Sequence, residues 1–167
     1  MITLQPFEEE DFQRLISWLD NEELLVQFGG PLFSFPLTSA QLQNYKNDKS
    51  RLSFKVISLP DQEVIGHAEL FPSDEEKTIK ICRVLIGAET KRGQGSGQQV
   101  INELLKISFL QLGKEKVELN VYDWNTNAIK CYEKAGFILN ANKTSQMVIK
   151  GNTWTAVNMS IDKQHWI

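Results

Sequence analysis

The sequence predicts an α+β fold: a mixed, mostly antiparallel twisted sheet of about six to seven strands flanked by helices. Three observations predict it. A hydrophobic period of two runs through "RLSFKVIS", "EVIGHAELF" and "KTIKICRVLI", and the turn-rich "LPDQ" and "PSDEEK" separate these runs as in an antiparallel meander. Helical periodicity from Gly95 to Leu112 is then followed by another strand-like run, a strand-helix-strand step that brings one parallel pairing into the sheet. Finally, "SQMVIK" and "TWTAVNMSI" meet at Gly151-Asn152, which suits a tight hairpin.

Taken in order, "ITLQPF" alternates apolar and polar residues as a short edge strand does. Glu8 to Asp11 place negative charge where a helix N-terminus favours it, and Phe12, Leu15, Ile16 and Leu19 recur at helical spacing. "EELLVQF" reads as a second short helix ending at Gly29-Gly30, and "GGPLFSFP" as a loop whose Phe33 and Phe35 form either a lid over the core or part of a substrate cleft. Thr38 and Gln41 stand at capping-box spacing ahead of a helix with Leu42 and Tyr45 on its apolar edge. After the meander, Val100, Ile101, Leu104, Leu105, Ser108 and Leu112 mark the inner face of the long helix. Val117, Leu119 and Val121 form one face of the next strand, with Glu118, Asn120 and Tyr122 on the other. A helix from about Asn125 to Ala135 is closed by Gly136.

Residues 1–167 read as one domain without repeats or linkers. A net charge of -3 leaves no excess of positive charge for nucleic acid or an anionic membrane, and neither is expected as a partner. The apolar runs are short and the N-terminus lacks a signal-peptide pattern, so a cytoplasmic protein is expected, as monomer or homodimer. Cys82 and Cys131 are expected to be reduced and buried. With only His67 and His165 beside them they make no metal set, and no metal is expected.

The most informative stretch is "ETKRGQGSGQQVINELL", Glu89 to Leu105. A strand ending near Gly87, a glycine-rich turn and a long helix together form an anion site: glycine lets N–H groups turn inward, and the helix N-terminus adds partial positive charge. A Walker loop would need a lysine after the last glycine. A dinucleotide fingerprint would need a third glycine where Gln98 stands, and a nucleophile elbow would need glycines where Gln94 and Gln98 flank Ser96. What remains is R-x-x-G-x-G, Arg92-Gly93-Gln94-Gly95-Ser96-Gly97, between strand and helix.

This hexapeptide resembles the pyrophosphate loop of the GNAT superfamily of N-acetyltransferases, which use acetyl-coenzyme A. "NTNAIKCYEKAGF" resembles that superfamily's following motif, with Asn125, Ala128, Tyr132, Lys134, Gly136 and Phe137 in register. The N-terminal "LQPFEEEDFQRLISWL" and "VIGHAEL" followed by "RVLIG" resemble the branch that contains the ribosomal-protein N-terminal acetyltransferases and their small-molecule relatives.

The resemblance implies an acetyl-coenzyme A-dependent N-acetyltransferase domain over 1–167, with a splayed cofactor cleft and direct transfer to a peptide or small-molecule amine. Backbone groups from Gly93 through Gln94, Gly95, Ser96 and Gly97 to Gln98 would hold the pyrophosphate, flanked by Arg92, which is otherwise an exposed surface arginine. Val84, Leu85 and Ile86 would offer backbone groups to the pantetheine arm, though their side chains alone say only core strand. Tyr132 stands where the superfamily often places the acid for the leaving thiolate; the alternative is a packed helix tyrosine. Asn125 would cap its helix, approach the cofactor, or do both. For the base, Glu69 is the candidate, either in the cleft or a solvated strand carboxylate, with His67 second and a buried hydrogen-bonded histidine as its alternative. Asn120 and Tyr122 could line the acceptor cleft. "EEED" and "DEE" are compatible with a cationic acceptor or are solvated faces. A different acyl donor, a hydroxyl acceptor, or a silent coenzyme A-binding module are the alternative functions.

Overall fold

The computed structural model describes residues 1–167. Seven strands, β1 (Ile2–Pro6), β2 (Leu52–Ser58), β3 (Val64–Pro72), β4 (Thr78–Ile86), β5 (Lys116–Tyr122), β6 (Ile138–Ile149) and β7 (Asn152–Asp162), make a sheet in the order β1-β2-β3-β4-β5-β7-β6. The helices are α1 (Phe12–Trp18), α2 (Glu22–Gly29), α3 (Ser39–Asn47), α4 (Ser96–Lys106) and α5 (Thr126–Lys134). The expected fold class is the observed one. The chain gathers into two compact units, Met1–Phe71 with Cys82–Val100, and Pro72–Ile81 with Ile101–Ile167.

In the first unit β1 runs antiparallel to β2, from Ile2 opposite Ser58 to Pro6 opposite Phe54, and β2 runs antiparallel to β3. The helices bury Phe12, Leu15, Leu19, Leu25, Phe28, Leu42 and Tyr45 in one cluster with Phe7 and Phe33. Phe33 packs into the core, as the lid reading expects, whereas Phe35 remains 46% exposed. Thr38 caps α3 by accepting from the Gln41 N–H at 3.3 Å. Gln41 does not complete the capping box. Its amide instead accepts from the Ser34 N–H and donates to the Ser34 and Pro36 carbonyls, tying down the loop that carries Phe33. The acidic run is no open patch either: Glu8 pairs with Lys46, Glu10 with Lys55, and Asp11 with both Arg14 and Lys55.

In the second unit the parallel ladder of β4 with β5 joins Thr78–Ile81 to Lys116–Leu119, and β7 lies antiparallel between β5 and β6. Val117, Leu119, Val121, Phe137, Met159 and Ile161 are buried there. The long helix departs from a single period. After Lys106 it widens into a π turn in which the Leu112 N–H reaches the Ile107 carbonyl at 2.9 Å, so Phe109 is buried and Leu112 stays 39% exposed. The strand before the final hairpin begins at Ile138, well before "SQMVIK". Its polar "NANK" segment escapes the alternation rule because the register shifts between Asn140 and Thr144, and Asn140 joins the sheet by donating to Asn158 at 2.8 Å. Cys82 and Cys131 are half-buried rather than buried.

Candidate functional site

The glycine-rich loop follows a short 3-10 turn, Glu89–Lys91. Gly93 and Gly95 hold φ of +73° and +80°, a region that residues carrying a Cβ resist, and α4 starts at Ser96 directly behind them. The first N–H groups of an α-helix such as α4 have no carbonyl of their own helix to reach. Side chains in the loop brace the backbone: Gln94 donates to the Thr90 carbonyl at 2.6 Å, and Ser96 donates to the Lys91 carbonyl at 3.3 Å. Arg92 is exposed, but its guanidinium turns back to donate to the carbonyls of Ile86 (2.9 Å) and Gly87 (3.3 Å). It therefore fixes the end of β4 to the loop. What the arrangement can do chemically is bind an oxyanion with backbone donors at a helix N-terminus.

Val84, Leu85 and Ile86 are half-buried at the end of β4. β3 comes close to them at Gly66, where a Cβ would run into the Leu85 carbonyl. Further on, Gly87 and Ala88 both donate to the Ile65 carbonyl. The final residues of β4 are thus held by β3 on one side, and the register of β4 with β5 covers only Thr78–Ile81.

Glu69 is fully buried, so it is not a solvated strand carboxylate. Its Oε1 accepts from Arg51 Nη1 and Arg83 Nη1, each at 2.8 Å, and its Oε2 accepts from the Tyr45 hydroxyl. Burial, reinforced by the Glu69 charge, raises the Tyr45 pKa well above its ordinary 10, so the phenol remains a donor. Arg51 lies over the Tyr45 and Phe71 rings, at 4.8 and 4.5 Å from their centroids. Arg83 has a backbone φ of +49°, unusual for a residue with a side chain. Sequence reasoning missed both arginines and Tyr45. The signal available was Arg83 itself, a full charge inside the apolar run "KICRVLI".

His67 is the buried hydrogen-bonded histidine. It is 1% exposed, with Nδ1 at 3.1 Å from the Arg83 carbonyl and its ring edge-on to Phe7 and Phe28. Burial lowers its pKa from 6.5 to about 4, so near neutrality it is uncharged and Nδ1–H donates to that carbonyl. A histidine whose folded pKa is depressed stabilises the fold fully above the unfolded value, near 6.5, and loses that contribution as pH falls toward 4. The expected loss on going from pH 7.5 to 5 is about 2 kcal/mol, read from urea midpoints at the two values. The His67 ring resonances should show no titration across that range; a midpoint near 6.5 would sink the assignment.

In the second unit Tyr132 is half-buried on α5, with its ring 6.0 Å from that of Phe137. Asn125 is the N-cap, its Oδ1 accepting from the Ala128 N–H at 3.3 Å, which commits that oxygen to the helix. Asn120 is exposed and accepts from Asn158 at 3.1 Å. Tyr122 stacks on Trp124 with centroids 5.8 Å apart, and both meet Trp154 edge-on.

Comparison with known proteins bears on both motifs. The sequence model described as the Acetyltransferase (GNAT) family matches residues 7–137. Spermidine N(1)-acetyltransferase of Vibrio cholerae is 26% identical over 152 residues, 90% of this chain and 86% of that protein. Aminoglycoside N(6')-acetyltransferase type 1 of Klebsiella pneumoniae is 26% identical over 147 residues, 81% of this chain and 73% of that one. In fold, the chain superposes with a TM-score of 0.82 on a crystal structure of spermidine N-acetyltransferase from Vibrio cholerae in complex with CoA and spermine, at 24% identity, covering 98% of this chain and 96% of that one. These relatives are named for small-molecule amines, whereas the sequence resembled the branch that also holds ribosomal-protein acetyltransferases.

Proposed function

Because the chain belongs to the acetyltransferase (GNAT) family, and is on that ground an acetyl-coenzyme A-dependent acyltransferase, we propose that it moves the acetyl group directly onto a small-molecule primary amine within a ternary complex. The observation that carries this reading is the loop from Gly93 to Gly97, where two left-handed glycines run straight into the N-terminus of α4. That arrangement suits a pyrophosphate, and its backbone donors are those of Gly93, Gln94, Gly95, Ser96, Gly97 and Gln98. Arg92 serves it by holding the loop to the carbonyls of Ile86 and Gly87. Beyond Ile81 the peptide groups of Val84, Leu85 and Ile86 have no ladder partner in β5, which supports their use as partners for the amides of the pantetheine arm.

Acetyl-coenzyme A supplies an activated thioester, so no side chain of the protein need carry the acetyl group. Tyr132 is the acid that returns a proton to the departing sulfur, and Asn125 sets the start of its helix. Glu69 serves as the base once the hydrogen bonds that both of its oxygens accept yield to a proton from the amine. An amine deprotonated by solvent before binding avoids that step. A cytoplasmic location fits the donor, and no helix is long and apolar enough to cross a membrane.

Incubation with acetyl-coenzyme A and a panel of amines, following release of the free thiol, tests the reading. Turnover on at least one primary amine is expected. Coenzyme A binding with no turnover on any acceptor would mean a binding module instead. Gly95→Val should raise KM for acetyl-coenzyme A at least tenfold while leaving KM for the acceptor unchanged, because the φ of +80° at Gly95 is strained for any β-branched residue.

A further inference from the structure

The group around Glu69 carries more positive than negative buried charge. Two guanidiniums converge on one carboxylate oxygen, and His67 adds no negative charge. The one other acid in contact is Asp48, 3.4 Å from Arg51 and 40% exposed, so water screens much of its charge. The Nε–H groups of Arg51 and Arg83 are both buried and have no acceptor in the protein. A buried cationic donor without an acceptor destabilises the fold, and an oxyanion is the group that recovers this best, through charge-assisted and bidentate hydrogen bonds. The arginine side chains keep 10% and 15% exposure, so the pair is not sealed.

Position ties this pair to the acceptor. Arg83 directly precedes Val84, Leu85 and Ile86 on β4, and the oxyanion loop follows them. A pantetheine arm lying along these residues, with its pyrophosphate at the loop, brings the thioester to the Arg83 end of the strand. The φ of +49° at Arg83 and the grip of the His67 ring on its carbonyl set that residue apart from the regular pleat.

Resting on the function proposed above, we infer that Arg51 and Arg83 recognise an oxyanion on the acceptor, so that the substrate is a primary amine bearing a carboxylate or phosphate rather than a polycation. Glu69 holds the two guanidiniums side by side, and the Tyr45 and Phe71 rings fix the plane of Arg51. A polyamine would meet net positive charge at the same place.

The test compares matched acceptors on the full chain: β-alanine against its carboxamide, O-phosphoethanolamine against ethanolamine, and spermidine. Expected is a kcat/KM at least tenfold higher for the anionic member of one pair, and the pair that responds tells carboxylate from phosphate. Arg83→Gln and Arg51→Lys should erase that ratio while KM for acetyl-coenzyme A holds. Should those variants fail to fold, inorganic phosphate added to the unaltered protein at constant ionic strength should compete with the acceptor as well as with acetyl-coenzyme A. Neutral or polycationic acceptors used as well as the anionic ones, or phosphate competing with acetyl-coenzyme A alone, would overturn the inference. If no acceptor turns over, the acetyltransferase reading is what has failed. Calorimetry of the same pairs on coenzyme A-loaded protein then decides the inference separately, equal affinities within a pair refuting it.

Discussion

Glu69→Ala should lower stability by about 3–5 kcal/mol, the range for removing one partner of a buried ion pair and leaving the opposite charge uncompensated. Glu69 is fully buried and the two arginines nearly so. Without the carboxylate, two guanidiniums face each other with less compensation, and the Tyr45 hydroxyl loses its acceptor. With a urea slope of roughly 2 kcal/mol per molar, the midpoint should fall by about 2 M. Glu69→Gln keeps the shape and one acceptor oxygen but not the charge, and should fall between the two. These variants also separate the roles open to Glu69. A base with little structural duty would cost kcat in Glu69→Gln and leave the midpoint in place. A loss of stability below about 1 kcal/mol in Glu69→Ala, a midpoint shift below about 0.5 M at that slope, would refute the network as a structural element.

Tyr132→Phe should reduce kcat by a factor of about 100 or more, within the usual range for a positioned general acid, and leave KM for acetyl-coenzyme A near its original value. The ring packs against Phe137 at 6.0 Å, and a phenylalanine retains that contact. The chemical case rests on proton donation. A phenol hydroxyl is a hydrogen-bond donor at neutral pH and can pass its proton to a leaving thiolate. The reading fails if kcat changes by less than about twofold, in which case the thiolate departs without help from this residue.

Periodicity and motif spacing made much of the fold legible. Alternation marked all seven strands, the 3.6-residue period marked the helices, and the glycine pattern placed a glycine-rich loop before α4. The failures have specific causes. The start of β6 hid behind "NANK" because a register shift interrupts its pairing, and Leu112 was assigned inward because a π turn is invisible to a period of 3.6. In Gln41 the capping-box spacing was present, but a neighbouring loop offered its amide three partners.

The candidate site divides in the same way. Arg92 to Gln98 and Asn125 to Phe137 are contiguous stretches, so their residue order alone carried the donor chemistry and the family. Glu69, Arg51, Arg83, Tyr45 and His67 come from β3, the segment before β2, β4, α3 and β3 again, and no spacing rule links them. Their meeting depends on which strands neighbour each other and on burial, which turned a carboxylate that could have been solvated into the hub of an ion-pair network. The sequence by itself therefore determined the family and with it the acyl donor, because both motifs are contiguous stretches. Only the tertiary structure decided the charge gathered around Glu69, because that charge is the sum of side chains far apart in the chain.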